Sequence, residues 1–233
     1  MSLQQEIDAF ISEAAGRFPP DVLAKLRQSI ENVRNSGITE RALTVGDLAP
    51  AFTLPNAQRR PVALSELLQR GPVIISFYRG IWCPYCNLEL RAYQRILPEI
   101  RAAGGELIAI SPQIPDSSLS TTQKNSLAFE VLSDRGNRVA EEFGIAYETP
   151  QIVKQVTAMF GADIAAINGA DDGRLPISAT YLVDAQRRIV LANVDADFRV
   201  RLEPEDALAA LRRLTSATAP PDRGRPLEPR PPA

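Results

Sequence analysis

Apolar residues recur along this chain with two different periods, and the alternation between them outlines the architecture. Residues 1–40 carry the helical period twice. Leu3, Ile7, Phe10, Ile11, Ala14 and Phe18 form one stripe, which Pro19-Pro20 breaks. Val22, Leu23, Leu26, Ile30 and Val33 form a second, which ends at Asn35, Ser36 and Gly37. Residues 65–70 read as a short helix with Ser65 as its cap. The β-branched run from Val73 to Phe77 follows, then a turn at Arg79-Gly80. Leu88, Leu90, Tyr93, Ile96, Leu97 and Ile100 next recur at helical spacing until Gly104-Gly105 stops them. Glu106 to Ser111 is the apolar run expected of a central strand covered on both faces. Strand, helix and strand in that order predict a right-handed crossover and a parallel pair.

Farther on, Ser118 to Ala128 reads as a helix, Val131 to Ser133 as a short strand and Asn137 to Phe143 as a short helix. Between 145 and 175 the pattern weakens to one helix marked by Val153, Val156, Met159 and Phe160, with turns at Gly161, Asn168-Gly169 and Asp171-Asp172-Gly173. Ala179 to Val183 and Arg188 to Val194 form an antiparallel hairpin, and Glu205 to Leu214 a last amphipathic helix. Beyond Ser216, six prolines fall within Pro220 to Pro232, which predicts a disordered or extended tail. Three units are expected: a helical pair over 1–40, an α/β domain over 44–215 and a tail over 216–233.

Composition narrows the chemistry more than the fold. With 233 residues, 45% of them apolar and 23% charged, the chain has the makings of one ordinary globular domain with appendages. A net charge of −2 and a pI near 5.4 give no electrostatic reason for a nucleic-acid or anionic-membrane partner. No apolar run reaches the roughly 20 residues that a spanning helix needs. The first residues lack the basic and apolar blocks of a leader, so a cytoplasmic location is expected. There is no histidine, which removes Ser-His-Asp and Cys-His hydrolases and His-ligated zinc enzymes together.

What remains is sulfur. Cys83 and Cys86 are the only cysteines, with two residues between them, directly after a strand and at the start of a helix. Free N–H groups at a helix N-terminus stabilise an anion, and a cysteine there falls from a pKa of about 8.5 to roughly 3.5–7.5. Pro84 suits the first helical position, where a missing N–H is no loss. Two thiols one turn apart can close a disulfide and store two electrons. Zinc needs about four ligands where this chain offers two thiolates, and Asp171-Asp172 reads as a solvated turn; no metal and no cofactor is expected.

The residues around the pair carry a resemblance. Trp82 before the Cys-x-x-Cys is similar to thioredoxins, and the inner Pro84-Tyr85 to glutaredoxins. Val45-Gly46-Asp47-Leu48-Ala49-Pro50-Ala51-Phe52-Thr53-Leu54-Pro55 and the Phe77-Tyr78 strand end resemble peroxiredoxins of the alkyl-hydroperoxide-reductase type. The resemblance runs from about Val45 to Leu214. It implies an α/β, thioredoxin-like three-layer fold with a central mixed sheet, here preceded by an N-terminal helical extension. It also implies a thiol-dependent peroxidase, with a hydroperoxide or a disulfide as substrate and thioredoxin or glutathione as reductant. Peroxiredoxins carry Pro-x-x-x-Thr/Ser-x-x-Cys, with a later arginine beside it. On this chain the attacking cysteine's position is Cys86, the proline's is Arg79, the hydroxyl's is Cys83, and the late arginine falls near Ser178.

The resemblance leaves two orders of events open. On the thioredoxin pattern Cys83 attacks and Cys86 resolves; on the peroxiredoxin pattern Cys86 attacks and Cys83 resolves. Arg79 is either a solvated loop residue or a partner of the thiolate, and Trp82 either a core aromatic or a lid beside the thiols. Tyr85 is expected to be exposed and Tyr78 packed. Pro176 is the nearest candidate for the cis-proline that thioredoxins place against the disulfide, though it falls two residues early. Thr180 either contacts the disulfide loop or simply fills its strand. The N-terminal helices dock on their own domain, pair two subunits or bind a partner. In the competing class, a binding or regulatory module, the dithiol is only a sensor that oxidises once.

Overall fold

In a computed structural model of the chain, which describes residues 1–169 and 173–218, alternate residues of one central strand feed two separate cores. The elements in order are α1 (Leu3–Ala14), a single 3₁₀ turn (Ala15–Arg17), α2 (Pro20–Arg34), α3 (Ile38–Arg41), β1 (Thr53–Pro55), β2 (Pro61–Ala63), α4 (Leu64–Arg70) and β3 (Val73–Phe77). Then come α5 (Pro84–Arg95), α6 (Leu97–Ala102), β4 (Glu106–Ser111), α7 (Pro115–Asn125), β5 (Glu130–Ser133) and α8 (Arg138–Glu142). The chain continues through β6 (Ala146–Glu148), α9 (Gln151–Met159), α10 (Ile164–Asn168), β7 (Arg174–Pro176), β8 (Ala179–Val183), β9 (Ile189–Val194) and α11 (Pro204–Thr218).

The main sheet has the order β5-β4-β3-β8-β9. β3, β4 and β5 run parallel, β8 is antiparallel to β3, and β9 antiparallel to β8. This is the mixed, thioredoxin-like sheet that the resemblance implies. Because side chains alternate across a strand, Ile75 and Phe77 join Ile108, Ile110, Leu132 and Tyr181 on one face. Ile74 joins Leu107, Ala109, Val131 and Leu182 on the other, under α5, α6 and α11. Both cysteines belong to this second core.

Several boundaries differ from the pattern. The single helix expected after the cysteines is two, parted at Ile96 with φ −103° and ψ 9°, because Pro98 sits in the first turn of α6 and cannot continue the α5 ladder. Ser65 lies inside the first turn of α4; the cap position is Ala63, whose side chain makes no capping bond. The helix expected from Ser118 starts at Pro115, again at a proline-favoured first position. α10 and the β6–β7 hairpin were not foreseen in the 145–175 stretch. α11 runs on to Thr218, beyond the expected boundary at Ser216. The rest of the proline-rich tail and the Asp171-Asp172 pair lie outside the described residues.

The first helix docks on its own domain. Leu3 and Ile7 are buried against Ala92 of α5, and Glu6 pairs with Arg95 at 2.7 Å. Glu203 caps α1 from the far end of the chain, accepting from the backbone N–H of Leu3 at 2.9 Å and Gln4 at 2.8 Å. A carboxylate here completes free N–H groups and meets the positive end of the helix dipole. α1 therefore uses its apolar stripe within the chain and lays its weight on the helix that carries the cysteines. No helix of the described residues is long and apolar enough to cross a membrane.

Candidate active site

The segment between β3 and α5 is bent into place by one glycine and clamped by two amides. Gly80 has φ +148°, and a Cβ there would stand 2.5 Å from Trp82 Nε1. Only glycine accepts both that backbone conformation and the indole folded over it. Gln113 accepts from the Ile81 N–H and donates to Tyr78 Oη at 3.1 Å and Thr121 Oγ1 at 2.9 Å. Asn87 Nδ2 donates to the carbonyls of Ile81 at 2.7 Å and Cys83 at 2.9 Å, and its own oxygen accepts from Asn125 at 2.8 Å. Tyr78 is fully buried, as expected of a packing residue, and burial pushes its phenol up to about 12.

Cys83 is the N-cap of α5 and Pro84 its first residue. Both thiols have no exposed surface. Arg79 Nη2 donates to Cys83 Sγ at 3.2 Å, and the Cys86 backbone N–H donates to the same sulfur at 3.4 Å. Burial pushes the Cys83 thiol up, but the Cys86 thiol's hydrogen bond, the charges of Arg79 and Arg201, and that backbone N–H outweigh it. The outcome is a pKa well below the ordinary thiol value. Cys86 moves the other way: burial raises it, and so does an anionic Cys83 beside it, so it stays protonated well above its ordinary range. The pair is polarised into one thiolate and one thiol.

Arg79 is therefore not the solvated arginine of one reading; it is 3% exposed and sandwiched. Its guanidinium lies 3.9 Å over the Phe198 ring and 5.1 Å from the Trp82 ring centre. Trp82 is half-buried beside the thiols and packs on the second core. Tyr85 is not exposed between the cysteines as expected. It is half-buried because Phe10 of α1 meets it edge-on at 5.3 Å and Phe198 packs on it at 5.3 Å. Pro176 departs further from its expectation. No described peptide bond is cis, and Pro176 pairs with Ala146 in the β6–β7 ladder, a secondary hairpin that claims its backbone. Thr180 fills its strand opposite Ser76, and its hydroxyl also reaches Glu89 at 3.4 Å.

Two residues escaped the sequence reading. Glu89, on α5 one turn past Cys86, forms a fully buried ion pair with Arg201, which precedes α11. Arg201 Nη2 also donates to Cys86 Sγ at 3.5 Å, and its Nε donates to the Phe198 carbonyl at 2.9 Å. Burial raises the Glu89 carboxyl to about 6 even against the pull of Arg201. The arginine missing near Ser178 is thus matched by one entering from a different part of the chain. The only local signal was the spacing of Glu89 from Cys86, one helical turn on the same face. Among the described residues no cluster of three or more His, Cys, Asp and Glu side chains could hold a metal. Chemically, the arrangement holds a nucleophilic sulfur, a proton-bearing sulfur one turn away and two guanidinium groups to receive developing negative charge.

Against known proteins, the AhpC/TSA family profile matches residues 45–192. A chloroplastic peroxiredoxin Q of Sedum lineare is 34% identical over 103 residues, covering 44% of this chain and 55% of that protein. A Mycobacterium tuberculosis protein named as a peroxiredoxin is 31% identical over 150 residues, covering 64% of this chain and 84% of its own length. In structure, a peroxidoxin of Mycobacterium tuberculosis superposes with a TM-score of 0.58 at 22% identity, over 74% of this chain and 98% of the other. Peroxiredoxin Q of Xanthomonas campestris superposes with a TM-score of 0.57 at 21% identity, over 74% and 98%.

Proposed function

We propose, because this chain belongs to the AhpC/TSA family, that it is a thiol-dependent peroxidase in which Cys83 attacks the hydroperoxide and Cys86 resolves. The observation that carries the reading is the polarised pair, with Arg79 on Cys83 and a protonated Cys86 behind it. The Cys83 thiolate attacks one peroxide oxygen and the O–O bond breaks. Sulfur gains the hydroxyl as a sulfenic acid, and the alkoxide leaves as the alcohol after taking a proton. The Cys86 thiol then attacks the Cys83 sulfur, an S–S bond forms, and the hydroxyl departs with the Cys86 proton as water. A dithiol donor such as thioredoxin, or two molecules of glutathione, returns two electrons and leaves as a disulfide.

Full burial of both sulfurs favours a small peroxide over a protein disulfide as the oxidising substrate. The sequence of roles is the reverse of the family's pattern, in which the attacking position is that of Cys86. A cytoplasmic setting, where donor thiols are kept reduced, suits the cycle. The test is steady-state consumption of hydrogen peroxide and of an organic hydroperoxide, with thioredoxin and glutathione supplied separately. Repeated turnover with either donor is the expected result; a single oxidation per protein, with every donor, would leave a sensor rather than a catalyst.

A further inference from the structure

A cleft of about 330 Å³ opens beside Arg79. Phe10, Phe18, Trp82, Tyr85, Phe160 and Phe198 line it. Several of these rings meet edge-on, Phe10 with Tyr85 at 86° and Phe18 with Phe160 at 74°. Phe10, Phe18 and Phe198 lie outside residues 45–192, so much of this wall is built from the chain's own additions to the family segment. Arg79 ties the cleft to the thiols, since it lines the cleft and donates to Cys83 Sγ at 3.2 Å.

We propose that this cleft is a specificity site for arylalkyl hydroperoxides. The aryl group sits among the six rings, with the peroxide end toward Arg79, the side chain that both lines the cleft and donates to Cys83. A lining of aromatic rings favours an aromatic guest over an aliphatic one. At about 330 Å³ the cleft is at the small end of ligand sites, which run from about 300 to 1,000 Å³, and has room for one ring. The other cation on the lining, Arg17, is exposed and already paired with Glu13, so nothing there calls for a carboxylate. The inference rests on the peroxidase reading for its chemistry: the O–O bond breaks, Cys83 takes the hydroxyl, and the arylalkyl alcohol is left in the cleft.

That alcohol makes the probe. Trp82 is the only tryptophan in the chain, so titrating the reduced protein with 2-phenylpropan-2-ol while following indole fluorescence reports directly on the cleft. A saturable change is expected, weakened about tenfold by Phe160→Ala. Phe160 is 64% exposed, so its loss leaves the core intact; Phe18→Ala serves as a second variant. The ratio of kcat/KM for cumene hydroperoxide to that for hydrogen peroxide should fall by the same factor while the hydrogen peroxide rate holds. No saturable change, equal binding of tert-butanol, or full affinity in both variants would overturn the site. Aryl binding without turnover of any hydroperoxide would leave the cleft assignment standing and overturn the peroxidase reading beneath it.

Discussion

Removing the Cys83 sulfur should end hydroperoxide turnover, with a loss on the order of 10³-fold or more, since no other group here replaces an activated nucleophile. Cys83→Ala is the cleaner variant, because Cys83→Ser would put a hydroxyl where the peroxiredoxin pattern has one. Cys86→Ser should behave differently. Cys83 keeps its bond from Arg79 and from the backbone N–H of residue 86, so it still attacks once. It then stops as a sulfenic acid that dimedone traps on Cys83. If Cys83→Ala still forms a sulfenic acid with peroxide while Cys86→Ser does not, the roles are reversed and the family's usual order holds.

The second large effect concerns the Glu89–Arg201 pair, both side chains 2% exposed. Glu89→Gln keeps the volume and deletes the charge, stranding a guanidinium in the core beside Cys86. Breaking a buried pair from one side costs about 3–5 kcal/mol, on the order of 10 °C in Tm for a domain of this size. Combining it with Arg201→Met, which removes the stranded charge, should recover much of the loss. A double variant no more stable than Glu89→Gln would contradict the pairing. The carboxyl also predicts a pH dependence. Its folded value, about 6, lies above the ordinary 4.5 because burial outweighs Arg201. The fold thus holds that proton more tightly than the unfolded chain does. The stability it contributes is complete below pH 4.5 and lost as pH rises through about 6, roughly 2 kcal/mol in all. Denaturation of the wild type should show that decline, and Glu89→Gln should lack it.

Local patterns carried far into this fold, and stopped where contacts become long-range. β3, β4, β5 and the β8–β9 hairpin were legible because their runs are largely apolar and bounded by turn residues. The start of α5 was legible because Cys83-Pro84 suits an N-terminus. The three-residue strands β6 and β7 pair across about thirty positions, Ala146 with Pro176, and are too short to show a period. Arg201 was invisible as a site residue for the same reason: it meets Glu89 across 112 positions. Glu89 itself occupies what looks like a polar helix position until Arg201 covers it. Tyr85 was misplaced because its burial comes from Phe10 and Phe198, which belong to α1 and to the segment after β9. The thiols were found by motif alone, but which of them is the anion depends on a guanidinium whose direction only coordinates give.

That question has a direct measurement. The reduced protein is alkylated with iodoacetamide across pH, and the label on each cysteine is quantified by mass spectrometry, in the wild type and in Arg79→Leu. Cys83 should take the label first, with a midpoint well below an ordinary thiol, and Arg79→Leu should move that midpoint upward. Labelling of Cys86 ahead of Cys83, or a Cys83 midpoint in the ordinary thiol range near 8.5, would contradict the account.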